Sequence, residues 1–102
     1  MAQIIWAEPA LADIDEIAEY IALDKPLVAK NLVAQVFEKV DRLKDFPKSG
    51  KKPPELPRGS RYKDVVVGPC RIFYRLDNNK IYILYVMRSE RVLRKFILED
   101  RG

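Results

Sequence analysis

The sequence predicts an α+β fold in which helices pack on an antiparallel sheet. Residues 61–91 are rich in aromatic and β-branched side chains, which favour pleated, half-buried strands. Two turn signals, Gly68-Pro69 and Asn78-Asn79, divide this stretch into three runs, so we expect a three-stranded meander. Upstream, apolar residues recur at helical spacing between about residues 9 and 46. An N-terminal strand and a short C-terminal helix complete the predicted domain.

The composition fits a single globular domain that spans residues 1–102. A chain of 102 residues with 48% hydrophobic and 33% charged residues can form one core. No apolar run approaches the roughly 20 residues of a membrane-spanning helix, and the N-terminus lacks a secretory leader pattern. The single cysteine, Cys70, cannot form an internal disulfide. We therefore expect a cytoplasmic protein without membrane association.

The charge is divided unevenly along the chain. Residues 1–47 hold five Lys/Arg and nine Asp/Glu, whereas residues 48–102 hold fourteen and six. The two halves therefore carry net charges of −4 and +8, which sum to the +4 of the whole chain. A basic half of this kind indicates a polyanionic partner, either a nucleic acid or an acidic protein segment.

The N-terminal part of the chain predicts an edge strand followed by a helical hairpin. The strand is expected over residues 4–6. A first helix is predicted over residues 9–23, since proline suits the first turn of a helix. A second helix is predicted over residues 26–46, because Pro47 disfavours helical geometry in the residue before it. The two helices are expected to form an antiparallel hairpin on one face of the sheet.

A basic, proline-rich loop is expected between the helices and the meander. Residues 47–59 contain four prolines and two glycines. The loop is long for an ordered connection, which is often a mark of a functional segment. A stiff tether between helix and sheet explains the same composition. After the meander, a last helix is expected to start at Ser89 or Glu90 and to continue to about Glu99.

The Asn78-Asn79 turn sets a register for the hairpin that it joins. If these two residues form the turn, pairing continues outward from the adjacent residues, and side chains alternate between two faces. The predicted pairs are Asp77–Lys80, Leu76–Ile81, Arg75–Tyr82, Tyr74–Ile83, Phe73–Leu84, Ile72–Tyr85 and Arg71–Val86. The second, fourth and sixth of these pairs form an aliphatic and aromatic face that suits the helical hairpin. The opposite face is apolar but carries two arginines, which a simple core would not contain.

The residue types available exclude several kinds of catalysis. The chain has no histidine, so Ser-His-Asp and Cys-His nucleophile pairs are excluded. No glycine-rich phosphate loop lies between a strand and a helix. An acidic group in the first predicted helix fits a solvated helix face better than a metal site; it comprises Asp13, Asp15, Glu16 and Glu19. We expect no metal and no cofactor, and any catalysis would depend on Arg, Lys or Tyr.

The order of elements and three sequence segments resemble the RelE/ParE superfamily of bacterial toxins. The matching segments are Arg61-Tyr-Lys, Cys70-Arg-Ile-Phe-Tyr-Arg-Leu-Asp and Lys80-Ile-Tyr-Ile-Leu-Tyr-Val-Met-Arg-Ser-Glu-Arg91. The resemblance covers essentially the whole chain and implies a RelE/ParE-like α+β fold. It also implies a toxin of a type II toxin–antitoxin system, held inactive by an antitoxin whose disordered C-terminal segment folds on binding. Growth inhibition and plasmid stabilization are the roles that the resemblance implies.

The superfamily implies one of two activities. RelE-like members are ribosome-dependent mRNA endonucleases, and ParE-like members inhibit DNA gyrase. The residues that match a RelE-like set are Lys63, Arg71 and Arg91, while the position of its C-terminal tyrosine falls near Ile97, beside Phe96. Because no hydroxyl is present there, the resemblance favours the ParE-like activity over the mRNA nuclease. A non-toxic nucleic-acid-binding module is a third interpretation, since a basic sheet with aromatic residues can serve as a stacking platform.

The arginine-bearing face of the sheet is therefore interpreted first as a binding surface, and as a catalytic one only if mRNA cleavage occurs. The residues predicted to contact a target or the antitoxin are Arg61, Lys63, Arg71, Phe73, Arg75, Tyr82, Arg88 and Arg91.

Overall fold

The computed structural model describes residues 2–102 as a four-stranded sheet with helices on both faces. The elements in chain order are β1 (Gln3–Trp6), α1 (Glu8–Ala22), α2 (Pro26–Arg42), β2 (Tyr62–Val67), β3 (Cys70–Asp77), β4 (Lys80–Arg88) and α3 (Lys95–Arg101). The predicted α+β class, the helical hairpin, the meander and the short last helix are all confirmed. In the described residues, no helix is both long enough and apolar enough to cross a membrane.

The strand order in the sheet is β1-β4-β3-β2. The meander β2-β3-β4 is antiparallel, and β1 adds to the outer edge of β4 in parallel. The N-terminal strand is therefore an edge strand, as predicted. The turns are also as expected, because Gly68 and Asn78 have positive φ angles of 51° and 56°, a backbone conformation that glycine and asparagine tolerate.

The predicted register of the β3–β4 hairpin is correct near the turn and wrong beyond it. The pairs from Asp77–Lys80 to Tyr74–Ile83 are observed as predicted, but Phe73 pairs with Tyr85. A β-bulge therefore leaves Leu84 as an extra residue on β4. Every later pair shifts by one position, so that Ile72 faces Val86, Arg71 faces Met87 and Cys70 faces Arg88. The predicted pairs Phe73–Leu84, Ile72–Tyr85 and Arg71–Val86 are wrong for this reason.

The bulge also exchanges two side chains between the faces of the sheet. Val86, which was expected on the arginine-bearing face, packs in the core beneath the helical hairpin. Tyr85, which was expected beneath the hairpin, stacks on Phe73 with ring centroids 5.7 Å apart. The rest of the hairpin face is as predicted, since Ile72, Tyr74 and Ile83 are completely buried there.

Two hydrophobic cores lie on the two faces of the sheet. The larger one lies between the sheet and the α1–α2 hairpin and includes Cys70, which is buried. The smaller one lies on the opposite face. Its buried members are Leu56, Tyr62, Phe73, Leu84, Met87, Leu93 and Leu98. The loop before β2 and the segment through α3 supply Leu56, Leu93 and Leu98, so they cover the face on which the arginines were predicted.

Two helix boundaries differ from the predictions by more than two residues. The helix α2 ends at Arg42 and not near Phe46, because residues 43–45 form tighter turns with hydrogen bonds to the residue three positions earlier. The helix α3 begins at Lys95, later than the predicted Ser89 or Glu90. The segment before it stays non-helical and carries Leu93 into the smaller core.

Candidate functional site

Arg71 lies near the start of β3 and is held by two carboxylates. Its Nη1 and Nη2 atoms donate to the two carboxylate oxygens of Glu55 at 2.6 and 3.0 Å. Its Nε and Nη2 atoms donate to Oδ2 of Asp64 at 3.0 and 2.6 Å. The Arg71 side chain is only 12% exposed and the Asp64 side chain is fully buried. The guanidinium therefore joins the loop of Glu55 to strands β2 and β3, and most of its hydrogen-bonding capacity is used internally.

The electrostatics of this cluster match its geometry. The hydrogen bond with Arg71 is the largest effect that lowers the pKa of Glu55, against an opposing effect of burial. The hydrogen bond to Glu55, followed by that to Asp64, raises the pKa of Arg71 above its ordinary value, although burial acts in the opposite direction. Glu55 and Arg71 therefore both favour the ionised pairing. This arginine is poorly available to bind an external phosphate or carboxylate.

The aromatic residues predicted on the same face are covered. Phe73 is completely buried beneath the segment that contains Leu98, and the Arg71 guanidinium lies 4.8 Å from the centre of its ring. Arg75 stacks over Tyr82 at 4.3 Å and pairs with Asp77 at 3.6 Å. The predicted face is thus a second core with a cationic rim, and only the rim reaches the surface.

Arg61 and Arg75 meet at that rim on one backbone oxygen. Nε of Arg75 and Nη2 of Arg61 donate to the Gly102 carbonyl oxygen at 2.6 and 3.1 Å. Arg61 also donates to the hydroxyl of Tyr62 at 3.2 Å. These contacts fix the end of α3 against the sheet. The two arginines are brought together by the fold, although sequence reasoning assigned them only to a general binding surface.

Arg88 and Arg91 lie elsewhere, beside a groove between α1 and the last part of β4. Arg88 lies over the ring of Tyr20 at 4.8 Å and pairs with Glu90 at 2.5 Å. Arg91 is exposed. The groove has a volume of about 370 Å³ and is lined by Asp13, Glu16, Ile17, Tyr20, Tyr85, Val86, Met87, Arg88 and Arg91. It combines two cations with two carboxylates and two aromatic rings, which is a mixed surface suited to a peptide.

The acidic face of α1 differs from its prediction at one residue. Asp15, Glu16 and Glu19 are exposed, as a solvated helix face requires. Asp13 is not: its side chain is 15% exposed and pairs with Arg101 of α3 at 2.6 Å. Within residues 2–102, no group of three or more His, Cys, Asp or Glu side chains is placed to hold a metal ion.

The family model of the ParE toxin of the type II toxin–antitoxin system parDE matches residues 4–93. The chain belongs to this family. It is therefore a type II toxin of the RelE/ParE superfamily, as the three matching sequence segments implied.

The relatives of this toxin are themselves named as toxins, and one of them carries a RelE name. It is 29% identical to Toxin RelE2 of Caulobacter vibrioides over 92 residues, which cover 90% of this chain and all of that relative. It is 34% identical to Y4kP of Sinorhizobium fredii, also named as a toxin, over 87 residues that cover 85% and 88% of the two chains. The names of the relatives therefore leave the activity of this toxin open.

Two solved structures share the fold of the toxin. A chain of the chromosomal ParDE system from P. aeruginosa aligns with a TM-score of 0.74 at 24% identity, covering 88% of this chain and 98% of that one. A chain of the toxin–antitoxin complex RelBE2 from Mycobacterium tuberculosis aligns with a TM-score of 0.56 at 21% identity, covering 86% and 98%. At these identities the likeness concerns the fold alone.

The residues that match a RelE-like set are dispersed over the toxin. Lys63 pairs with Tyr74 in the β2–β3 ladder, so it lies on the hairpin face of the sheet, opposite to Arg71. Arg91 lies in the groove beside α1. Phe96 is exposed on α3, with Ile97 next to it. The fold therefore places Lys63 and Arg71 on opposite faces of the sheet, and neither of them lines the groove that contains Arg91.

Sequence reasoning missed the partners of the predicted residues. Glu55, Asp64 and Tyr20 did not stand out, although they determine the surroundings of Arg71 and Arg88. One signal was present in the sequence: Asp64 interrupts the apolar run of β2 at an inward position, where a charge is rare unless it is paired. No comparable signal marks Glu55, because its position depends on the conformation of the whole loop.

Proposed function

We propose that this toxin is a ParE-like inhibitor of DNA gyrase and not an mRNA nuclease. The observation that carries the proposal is the double carboxylate clamp on Arg71. A nuclease needs its central arginine free to stabilise charge on the scissile phosphate. Here Glu55 and Asp64 already neutralise that arginine, and moving Glu55 away would leave the 12%-exposed guanidinium beside a single carboxylate in a partly desolvated site.

Two further observations support the same proposal. The matching family model is described as that of ParE toxins. The dispersed positions of Lys63, Arg71 and Arg91 do not provide the convergent groups that general acid–base catalysis at one phosphate requires.

We further propose that an antitoxin encoded beside the toxin gene binds and neutralises the toxin in the cytoplasm. The basic half of the chain, with a net charge of +8 over residues 48–102, suits an acidic partner that folds on binding. Both structural neighbours come from toxin–antitoxin systems. Stabilization of a plasmid is a biological role consistent with such a pair.

A second candidate is ribosome-dependent mRNA cleavage. It is favoured by the 29% identity to Toxin RelE2, which extends over the full length of that relative. Under this alternative, Lys63, Arg71 and Arg91 would contact the RNA, and Arg71 would first have to exchange Glu55 for a phosphate.

The two candidates are separated by expressing the toxin without its antitoxin and examining DNA and mRNA in the same cells. We expect gyrase-dependent DNA breaks and intact mRNA. The purified toxin should also inhibit supercoiling by gyrase, and addition of the antitoxin should restore it. Codon-specific mRNA cuts that require ribosomes, without DNA breaks, would overturn the proposal in favour of the nuclease.

A further inference from the structure

The strand β4 has an open edge that begins where β1 ends. Ala7 donates its N–H to the Ile83 carbonyl at 2.9 Å, and the chain then turns into α1. Beyond Ile83, β4 continues to Arg88 and has, among residues 2–102, no neighbouring strand on that side. The last part of β4 therefore pairs with β3 on one side and forms an edge of the sheet on the other.

Side chains form hydrogen bonds with backbone groups only in the first part of this edge. Nη1 of Arg101 donates to the Leu84 carbonyl at 3.1 Å, and the Val86 N–H donates to Oδ2 of Asp13 at 3.0 Å. Ser89 donates its N–H to Pro69 at 2.7 Å on the β3 side. Because bonding directions alternate along an antiparallel strand, the Val86 carbonyl and the Arg88 N–H face the open side. These two groups are spaced to pair with one residue of an added strand.

The charged residues of the groove beside this edge indicate which kind of peptide segment can bind there. Arg88 and Arg91 line the end of the groove near the unpaired backbone groups. Arg88 already pairs with one carboxylate, that of Glu90, and Arg91 forms no ion pair with any of residues 2–102. The Tyr20 ring, which the Arg88 guanidinium contacts at 4.8 Å, is 60% exposed and offers apolar surface in the groove. An acidic segment with an apolar side chain between its carboxylates fits these features.

We propose that the groove receives an extended acidic segment of the antitoxin, which adds a short strand to the open edge of β4. The segment donates to the Val86 carbonyl and accepts from the Arg88 N–H, in the manner of β-strand addition. Its carboxylate pairs with Arg91, and an apolar side chain packs on Tyr20. The inference rests on the proposed function, since it names the surface that the antitoxin occupies.

Amide hydrogen exchange of the full-length toxin, alone and bound to the antitoxin encoded beside it, tests the backbone contact. Exchange of the Arg88 N–H should slow by about tenfold or more on binding. The matched control is Val66 on the opposite sheet edge. The backbone of Asp64 forms hydrogen bonds with Lys51 on the outer side of that edge. Because bonding directions alternate along the strand, the Val66 N–H also faces outward. Its exchange should not change on binding.

Two charge variants test the side chains of the groove. Arg91→Glu should weaken antitoxin binding by about tenfold or more, whereas Arg58→Glu, the same charge change on the exposed loop, should change it by less than about twofold. Glu16→Gln removes a carboxylate that faces the acidic segment. It should strengthen binding by about twofold, a gain that misfolding cannot produce, and Glu19→Gln on the same helix should have no effect.

The outcomes separate this inference from the function on which it rests. If toxin and antitoxin do not bind each other, both the proposed neutralisation and the inference are overturned. If they bind but Val66 is protected in place of Arg88, the strand adds to β2 and only the inference is overturned. Binding that is unaffected by both Arg91→Glu and Glu16→Gln also overturns it.

Discussion

Asp13 and Arg101, which are 88 residues apart in the chain, form an ion pair at 2.6 Å beside the bulge of β4. Each also bonds to the backbone of that strand: Asp13 accepts from the Val86 N–H at 3.0 Å, and Arg101 donates to the Leu84 carbonyl at 3.1 Å. The pair thus provides the hydrogen bonds that a neighbouring strand would otherwise supply. It also connects α1 to α3 across the end of the sheet.

We expect Asp13→Ala to lower the free energy of unfolding by about 2–3 kcal/mol, because it leaves a buried N–H and a partly buried guanidinium without their acceptor. Urea denaturation measures the change. Asp15→Ala, an exposed residue on the same helix, is the control and should stay within about 0.5 kcal/mol of the wild type. Equal effects of the two substitutions would contradict the structural role of the Asp13–Arg101 pair.

The same pair shows why the hairpin register could be predicted only in part. The left-handed conformation of Asn78, with φ of 56°, is encoded locally, so the register next to the turn follows from the sequence. The bulge at Leu84 is not encoded locally. Its unpaired backbone groups are stabilised by Asp13 and Arg101, which no pattern in the hairpin itself reveals. Tyr85 and Val86, which follow the bulge, were therefore assigned to the wrong faces.

The candidate site was predictable to a similar degree. Arg71 was predicted to be unusual because it is a charged residue on a face that is otherwise apolar. That prediction depended only on the alternation of side chains along a strand. Its two carboxylate partners could not be deduced, because the loop that carries Glu55 is positioned by the burial of Leu56 in the smaller core. The face that the sequence predicted to be a binding surface is therefore largely buried inside the toxin.

Arg71→Met should destabilise the toxin strongly, by about 3–5 kcal/mol, because it leaves the completely buried Asp64 carboxylate without a compensating charge. The midpoint of urea denaturation measures this loss. The double variant Arg71→Met with Asp64→Asn should recover a substantial part of the stability, since the uncompensated charge is then absent. Arg58→Met, on the exposed loop, is the control and should be nearly neutral. A double variant no more stable than Arg71→Met alone would contradict the charge-based explanation.

Acid should lower the stability of the folded toxin by protonating Glu55. Its pKa is lowered in the folded state, chiefly by the hydrogen bond with Arg71, so the folded state favours the ionised form. The stabilisation is therefore complete above the ordinary pKa of 4.5 and is lost as the pH falls through the lower folded-state value. We expect Glu55→Gln to flatten the decline in stability below about pH 4.5, as measured by thermal unfolding at several pH values. An unchanged decline in the variant would show that other carboxylates cause it.

Gly50 lies where a side chain would meet Tyr74, and its substitution should loosen the attachment of the loop. The Tyr74 hydroxyl accepts from the Gly50 N–H and donates to the Pro47 carbonyl, each at 2.9 Å. A Cβ atom on residue 50 would lie 2.3 Å from that hydroxyl and 2.9 Å from the Asp64 carbonyl oxygen. Gly50→Ala should therefore cost about 1–3 kcal/mol of stability by overpacking, measured by urea denaturation.

A double-mutant cycle identifies the cause of that loss. Tyr74→Phe alone removes the hydroxyl and should cost about 1 kcal/mol. In the Gly50→Ala background it should cost less or even stabilise, because it also removes the closest clash. Ser49→Ala, at an exposed neighbouring position, should be neutral. Additive effects of Gly50→Ala and Tyr74→Phe would contradict the predicted contact and would indicate that residue 50 moves away from Tyr74, carrying the basic loop with it.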